Sequence, residues 1–240
     1  MQDWSVNSYH ERQYDVEYDS TRAFRTFLND CREQHGFKPP KTLIDVGCGA
    51  GANTRRLANW FPDTMIKGID HDRELVDFAI ARNSDMLPRL TFEVEDALAL
   101  KEENSLGLGI TAIQTLSWIP SNDIYRPIIS LLELNPEWLC FSALGFDGHV
   151  DAKIQINDFS GAAPWSTPYN ILSNNKISFI ANQFEFDCLI IQKYSPQNKI
   201  TKYSSGMSSY TEEFKDGRLE LFSGPLYLPW YLYFIGKRTR

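Results

Sequence analysis

The stretch that decides the fold is residues 42–51, TLIDVGCGAG, in which a short apolar run leads directly into a glycine-rich segment. The first five residues have the composition of a buried strand. The glycines Gly47, Gly49 and Gly51 allow positive φ and let a ligand approach bare backbone. A helix that follows them presents unpaired N–H groups and the positive end of its dipole. The segment therefore predicts a strand, a ligand-binding turn and a helix.

Strands and helices alternate on both sides of this segment. The predicted strands are nearly unbroken apolar runs, which indicates a parallel sheet covered by helices on both faces. The first helix is predicted to begin at Ser20 or Thr21 and to end at Gly36. Residues 146–224 carry turn residues and isolated aromatics, and we expect them to be largely irregular. Besides residues 42–46, the predicted strands are 65–70, 90–94, 108–115, 138–144, 186–192 and 230–235. One predicted helix follows Gly51, and the later ones are 72–82, 124–134 and 173–183.

Composition and charge exclude several classes of protein. The chain has 240 residues, 42% of them hydrophobic, and a net charge of −7. These values are typical of a compact protein, and the acidic balance disfavours nucleic-acid binding, which needs clustered cations. No run approaches the ~18 apolar residues of a membrane span, and the first residues do not resemble a signal peptide. The four cysteines lie far apart, as in a reduced cytosolic protein. We therefore expect a cytoplasmic monomer or homodimer with no nucleic-acid or membrane partner.

Three acidic residues lie in or directly after the first three predicted strands. Asp45 lies inside the first strand, where a carboxylate suits a ligand that bears an ammonium group. Asp70 ends the second strand about 20 residues after the last glycine, a position suited to ribose hydroxyls. Asp96 follows the third strand, where it can accept from an adenine amino group while the backbone of Ala97 contacts a ring nitrogen. Together they predict a ligand with amine, ribose and adenine groups but no phosphate.

These segments resemble the motifs of the class I S-adenosylmethionine-dependent methyltransferases. The matching residues are LIDVGCGAG at 43–51, GID at 68–70 and VEDA at 94–97. The resemblance covers residues 42 to about 145, and residues 186–237 by strand pattern only. It implies a doubly wound, Rossmann-like α/β sandwich whose seven strands have the order 3-2-1-4-5-7-6, with strand seven antiparallel. It implies S-adenosyl-L-methionine as the cofactor, with Gly47, Gly49 and Gly51 around the methionine part and ribose, Asp70 and His71 at the ribose hydroxyls, Asp96 and Ala97 at adenine, and Gln114 near the sulfonium.

Two departures from the family pattern bear on the substrate. No acidic residue opens the fourth strand, where Leu106 and Gly107 stand. No Asn/Asp-Pro-Pro-aromatic motif follows that strand, and the chain reads TLSW at 115–118 instead. That motif holds the amino nitrogen of a base or of glutamine. Its absence disfavours a DNA or release-factor methylase and favours a small-molecule acceptor.

The candidate general base is His149, in the segment FDGHVD at 146–151 beyond the fifth strand. Histidine is the usual proton acceptor near neutral pH. Asp147 and Asp151 alternate with it, which leaves a divalent-metal site as an alternative, but we predict no metal. Aromatic residues near strand ends could wall an acceptor pocket, and His10 could belong to an N-terminal lid with Tyr9 and Tyr14. The aromatic set is Trp118, Trp165, Tyr169, Tyr210, Tyr227 and Trp230.

The sequence thus predicts one methyltransferase domain over residues 1–240. Residues 1–40 form an N-terminal helical lid, 41–145 the S-adenosylmethionine-binding core, and 146–240 an acceptor-side elaboration with strands six and seven. The predicted reaction is methyl transfer to an O or N atom of a small molecule in biosynthesis. Two alternatives stay open: a non-catalytic S-adenosylmethionine- or nucleotide-binding protein, and an NAD(P)-dependent oxidoreductase. The glycine spacing permits the oxidoreductase, whereas Asp45 and Asp96 argue against it.

Overall fold

A computed structural model describes residues 6–101, 106–159, 165–202 and 209–237. Within these ranges the chain forms six α-helices and twelve strands. The helices are α1 (Val6–Asp15), α2 (Asp19–His35), α3 (Ala52–Trp60), α4 (Arg73–Arg82), α5 (Arg126–Glu133) and α6 (Asn174–Gln183). The strands are β1 (Thr42–Val46), β2 (Met65–Asp70), β3 (Leu90–Val94), β4 (Leu108–Ala112), β5 (Trp138–Phe146), β6 (Ala152–Asp158), β7 (Trp165–Ser173), β8 (Cys188–Lys193), β9 (Ser209–Glu213), β10 (Leu219–Ser223), β11 (Leu226–Tyr227) and β12 (Trp230–Gly236).

The main sheet has the strand order β3-β2-β1-β4-β5-β12-β8. Strands β1 to β5 pair in parallel, and β12 runs antiparallel to both β5 and β8. Because β8 and β12 are the predicted strands six and seven, this order confirms the predicted 3-2-1-4-5-7-6. The doubly wound α/β fold expected from the sequence is therefore correct.

Helices cover both faces of the sheet and divide the core into two layers. On one face α2, α3 and α4 pack against the sheet through buried residues such as Phe24, Leu57 and Val76. On the other face α5 and α6 contribute Ile128 and Ile177. Since the central strands β1, β4 and β5 bury residues on both sides, their sequences are nearly continuous apolar runs rather than alternating ones.

The ends of several elements differ from the prediction for local reasons. Helix α2 ends at Gly36 as predicted, because Gly36 has φ 75° and its N–H bonds back to the last turn. The predicted start is wrong: Tyr18 is the N-cap, and Thr21 is buried within the helix. Strand β4 ends at Ala112 rather than at residue 115, and Gln114 has φ 55°.

The prediction of a largely irregular segment at 146–224 is wrong. Strands β6 and β7 form an antiparallel hairpin, and β7 also pairs with the end of β5. Strands β9, β10 and β11 form a second, three-stranded sheet. The alternation of Ile154 and Ile156 with polar neighbours was a signal for β6, because side chains on a strand alternate between its faces.

In the described part of the chain, no helix combines the length and the apolar character that crossing a bilayer requires.

Candidate functional site

The glycine-rich loop lies at the carboxyl ends of β1 and β2 and is held by backbone hydrogen bonds. The N–H groups of Gly47 and Cys48 both donate to the carbonyl of Ile69, at 2.8 and 3.0 Å. Gly49 N donates to Asp70 Oδ2 at 2.9 Å. The three loop glycines have φ values of 68°, 52° and 85°, which other residues adopt only at a cost. The loop is therefore bound tightly to the end of β2.

The three glycines of the loop are required for two different reasons. A Cβ at Gly47 would lie 2.2 Å from Thr115 Cγ2, and one at Gly51 would lie 2.8 Å from the Phe92 ring. A Cβ at Gly49 would meet nothing within 4 Å. Gly47 and Gly51 thus make room for the protein itself, whereas Gly49 borders open space. The bare backbone at Gly49 fits the cradle that a ligand needs to approach the loop.

Asp45 lies in the interior of the site. Its side chain is only 2% exposed, and its two oxygens accept from the hydroxyls of Thr54 at 2.7 Å and Thr111 at 2.9 Å. Burial raises the pKa of Asp45 to about 6, although both hydroxyl bonds lower it. Asp45 thus links β1 to α3 and β4. Its predicted contact with an ammonium group stays a prediction.

Asp70 connects the glycine loop to the start of α4. Its Oδ2 accepts from Gly49 N, and its Oδ1 accepts from Asp72 N at 3.0 Å. His71 Nδ1 lies 3.2 Å from the same Oδ1, and the His71 side chain is 88% exposed. The Asp70 side chain is 10% exposed. Both residues therefore lie beside the open face of Gly49, and Asp70 helps to shape the loop.

The remaining predicted cofactor residues lie at the same edge of the sheet. Glu95 N donates to the Asp70 carbonyl at 3.0 Å, which brings the segment after β3 beside β2. Asp96 is exposed and its Oδ1 accepts from Leu98 N, while Ala97 is half-buried. Gln114 is half-buried after β4, and its N–H donates to Ser142 Oγ at 2.8 Å. The loop glycines, Asp70, Asp96, Ala97 and Gln114 thus lie along one edge.

His149 lies in the segment that follows β5. It is exposed, and its Nε2 lies 2.9 Å from Asn175 Nδ2 at the start of α6. Asp151, its neighbour in the alternating motif, accepts from the Tyr125 hydroxyl at 3.1 Å. Burial raises the pKa of Tyr125 to about 12. Among the residues that the structure describes, no three His, Cys, Asp or Glu side chains are placed to hold a metal ion.

The predicted aromatic set divides into two groups. Trp118 makes edge-to-face contacts with Tyr169 and Trp230, at centroid distances of 6.1 and 5.4 Å. This aromatic cluster packs with Leu144 of β5. Tyr210 and Tyr227 lie instead in the small sheet, on either side of Phe222. The side chains of Tyr9 and Trp165 lie outside the described residues, although the backbone of Trp165 begins β7.

Sequence reasoning missed the polar partners that complete the site. The hydroxyls of Thr54 and Thr111 hold Asp45 from positions 9 and 66 residues away. Ser142 holds the Gln114 N–H from 28 residues away. Serine and threonine are common in strands and helices, so no local pattern marks these three as part of a site.

Comparison with known proteins shows which family part of this chain matches. Residues 43–133 match the family described as a methyltransferase domain. The chain is 36% identical over 88 residues to trans-aconitate 2-methyltransferase from Methylobacterium radiotolerans. This alignment covers 37% of this chain and 32% of that protein. It is 32% identical over 136 residues to the Yersinia pestis trans-aconitate 2-methyltransferase, covering 57% of this chain and 47% of that one. The chain therefore spans a third to a half of the length of these two curated relatives.

Solved structures show the same architecture. The Burkholderia thailandensis 1,6-didemethyltoxoflavin-N1-methyltransferase, solved with its acceptor and S-adenosylhomocysteine, superposes with a TM-score of 0.58. The match covers 98% of this chain and 85% of that chain at 13% identity, which makes it a likeness of fold. The matched domain, the glycine loop after β1 and the observed strand order agree with one another. Residues 43–133 therefore match a methyltransferase domain, and the chain resembles the class I S-adenosylmethionine-dependent methyltransferases in its glycine motif and strand order.

Proposed function

We propose that this protein transfers a methyl group from S-adenosylmethionine to an O or N atom of a small-molecule acceptor. The observation that carries the proposal is the open backbone at Gly49, which Asp70 holds at the carboxyl edge of the sheet. Open α/β sheets bind their ligands at this edge. Residues 41–145 form the donor-binding core, 1–40 an N-terminal cover and 146–240 the acceptor side.

Each predicted site residue has a role in this proposal. Gly47, Gly49 and Gly51 bring bare backbone to the methionine part and ribose of the donor. Asp70 and His71 bind the ribose hydroxyls, and Asp96 and Ala97 bind adenine. Gln114 lies near the sulfonium. Asp45, buried beneath the loop, favours a cationic ligand through its negative charge and anchors α3, whose N-terminus begins at the loop.

The chain's main contribution to the reaction is alignment. When bound, S-adenosylmethionine supplies an already activated methyl group. Holding an acceptor atom ~3–3.5 Å from that carbon can supply roughly 7–11 kcal/mol of the barrier. We propose that His149 accepts the proton of an acceptor hydroxyl or amine. In the neutral ring Nε2 accepts from Asn175 Nδ2, so this hydrogen bond breaks when Nε2 takes the proton of the acceptor.

The acceptor side favours a small, partly apolar molecule. The cluster of Trp118, Tyr169 and Trp230 lies above the end of β5 and joins Leu221 and Leu228. Two cations beside β10 pair with carboxylates. Lys193 Nζ lies 3.1 Å from Glu220 and Arg218 Nε lies 2.6 Å from Asp216. We therefore propose that this site prefers apolar acceptors to the tricarboxylate trans-aconitate, which the two relatives are named for.

Thermal unfolding with three ligands tests the donor assignment. S-adenosylhomocysteine at 100 times its Kd adds about 2.7 kcal/mol of stability, which raises the Tm by roughly 5–10 °C for a chain of this size. We expect that shift, and none with NAD. A shift with NAD and none with S-adenosylhomocysteine would overturn the proposal in favour of an oxidoreductase.

The acceptor is tested by following labelled methyl groups from S-adenosylmethionine into a panel of acceptors. The panel contains phenols, aromatic amines and trans-aconitate. We expect labelling of the apolar members and little of trans-aconitate. Donor binding without labelling of any member would instead favour the non-catalytic alternative.

A further inference from the structure

The C-terminal end of α1 is fastened to α3. Arg56 Nη2 donates to the carbonyls of Gln13 at 2.5 Å and Val16 at 3.0 Å. Its Nη1 also donates to the Ala52 carbonyl in the first turn of α3, at 3.3 Å. The last carbonyls of a helix have no partners within the helix, and a cation there is favourable. Arg56 therefore ties α1 to the helix that follows the glycine loop.

Tyr14, in the last turn of α1, reaches the glycine loop itself. Its hydroxyl donates to the carbonyl of Ala50 at 2.6 Å and accepts from Asn83 Nδ2 at 2.7 Å. The Asn83 amide is held in place because it also donates to the Ala79 carbonyl at 2.7 Å. The Tyr14 ring packs beside Phe78, with centroids 6.5 Å apart. The hydroxyl is thus fixed as donor and as acceptor at once.

The Ala50 carbonyl belongs to the part of the loop with the most backbone freedom. Ala50 lies between Gly49 and Gly51, which both have positive φ. Glycine loses more conformational freedom on ordering than other residues, so a loop with several glycines gains order from each fixed point. Asp70 fixes the N–H of Gly49, and Tyr14 fixes the carbonyl of the following residue, Ala50.

We propose that Tyr14 is a positioning residue for donor binding: by holding the Ala50 carbonyl, it keeps the glycine loop in the conformation that receives the donor. This inference rests on the proposed function. Docking of α1 and binding of the donor then favour each other, and thermodynamic linkage requires the two effects to be equal in size. The N-terminal segment therefore sets donor affinity although it lies 36 residues before the loop.

The test compares Tyr14→Phe with Tyr18→Phe by isothermal titration with S-adenosylhomocysteine. Tyr14→Phe keeps the ring and removes only the hydroxyl, whereas Tyr18 is 38% exposed and precedes α2. Leaving a partly buried acceptor unpaired costs enough to weaken binding about 5–10-fold. We expect that loss for Tyr14→Phe and less than a twofold change for Tyr18→Phe. Circular dichroism checks that both variants are folded.

A second measurement is limited proteolysis of α1 in the native protein. Trypsin cleaves after Arg12 only when α1 opens, so S-adenosylhomocysteine at saturation is expected to slow this cleavage about 5–10-fold in the native protein. In Tyr14→Phe the protection is expected to fall below twofold.

Two results separate this inference from the proposed function. If the native protein binds S-adenosylhomocysteine but Tyr14→Phe binds it equally well, or if the ligand does not slow cleavage after Arg12, the inference alone is overturned. A native protein that does not bind S-adenosylhomocysteine overturns the proposed function and the inference together.

Discussion

Replacement of Asp45 by asparagine is expected to change the pH dependence of stability by about 3 kcal/mol. Burial raises the pKa of Asp45 from 3.8 to about 6 in the folded protein. At 1.36 kcal/mol per pKa unit, this difference corresponds to about 3 kcal/mol between the folded and unfolded states. Because the carboxylate is fully buried, solvent does not screen this cost.

The sign follows from proton uptake. Between about pH 4 and pH 6 the folded protein holds a proton on Asp45 that the unfolded chain has lost. The native protein therefore loses stability from this residue as the pH rises through that range, and the loss is complete above about pH 6. Asparagine does not titrate. The free energy of unfolding of Asp45→Asn, minus that of the native protein, should rise by about 2 of these 3 kcal/mol from pH 4 to pH 7, because the unfolded chain is already more than half ionised at pH 4.

Urea unfolding at pH 4, 5, 6 and 7 without ligand measures this difference. Other titrating groups are common to both proteins and cancel. Asparagine offers one acceptor to Thr54 and Thr111 instead of two, which adds an offset of about 1 kcal/mol that does not depend on pH. The control is Asp63→Asn, because Asp63 is exposed and burial gives no reason for a slope. A difference that is flat, or that falls with pH, refutes the reasoning.

Further predictions concern the glycine loop, Asp70 and His149. Gly49→Ala should fold, lose about 1–2 kcal/mol of stability because of its positive φ, and bind S-adenosylhomocysteine more than tenfold more weakly. Gly47→Ala should also clash with Thr115 and therefore lower the urea midpoint further. Equal losses of stability in the two variants would contradict this. Asp70→Ala should abolish the thermal shift with S-adenosylhomocysteine, because it removes the acceptor of Gly49 N as well as the proposed ribose contact; a retained shift would count against both roles. His149→Ala should keep that shift and slow methyl transfer about 100-fold, and native turnover would exclude His149 as the base.

Much of the fold could be predicted because its signals are local. Strands β1, β2 and β3 have the predicted bounds, since each is a short apolar run with turn residues or acids at its ends. The glycine loop was recognisable because three glycines at a strand–helix junction have few structural explanations. The hairpin of β6 and β7 was missed, because its alternating pattern lies among polar residues and its partner strand contains Pro168.

The sequence by itself predicted the seven strands of the main sheet and their order, the glycine-rich turn and the resemblance to methyltransferases. Tertiary structure alone decided which side chains complete the site. Asp45 meets Thr111 across 66 residues, and Tyr14 meets Ala50 across 36. Periodicity and motifs report on neighbours along the chain, whereas these hydrogen bonds depend on how the helices pack over the sheet. The same packing places His149 against Asn175 of α6, a contact that its motif did not reveal.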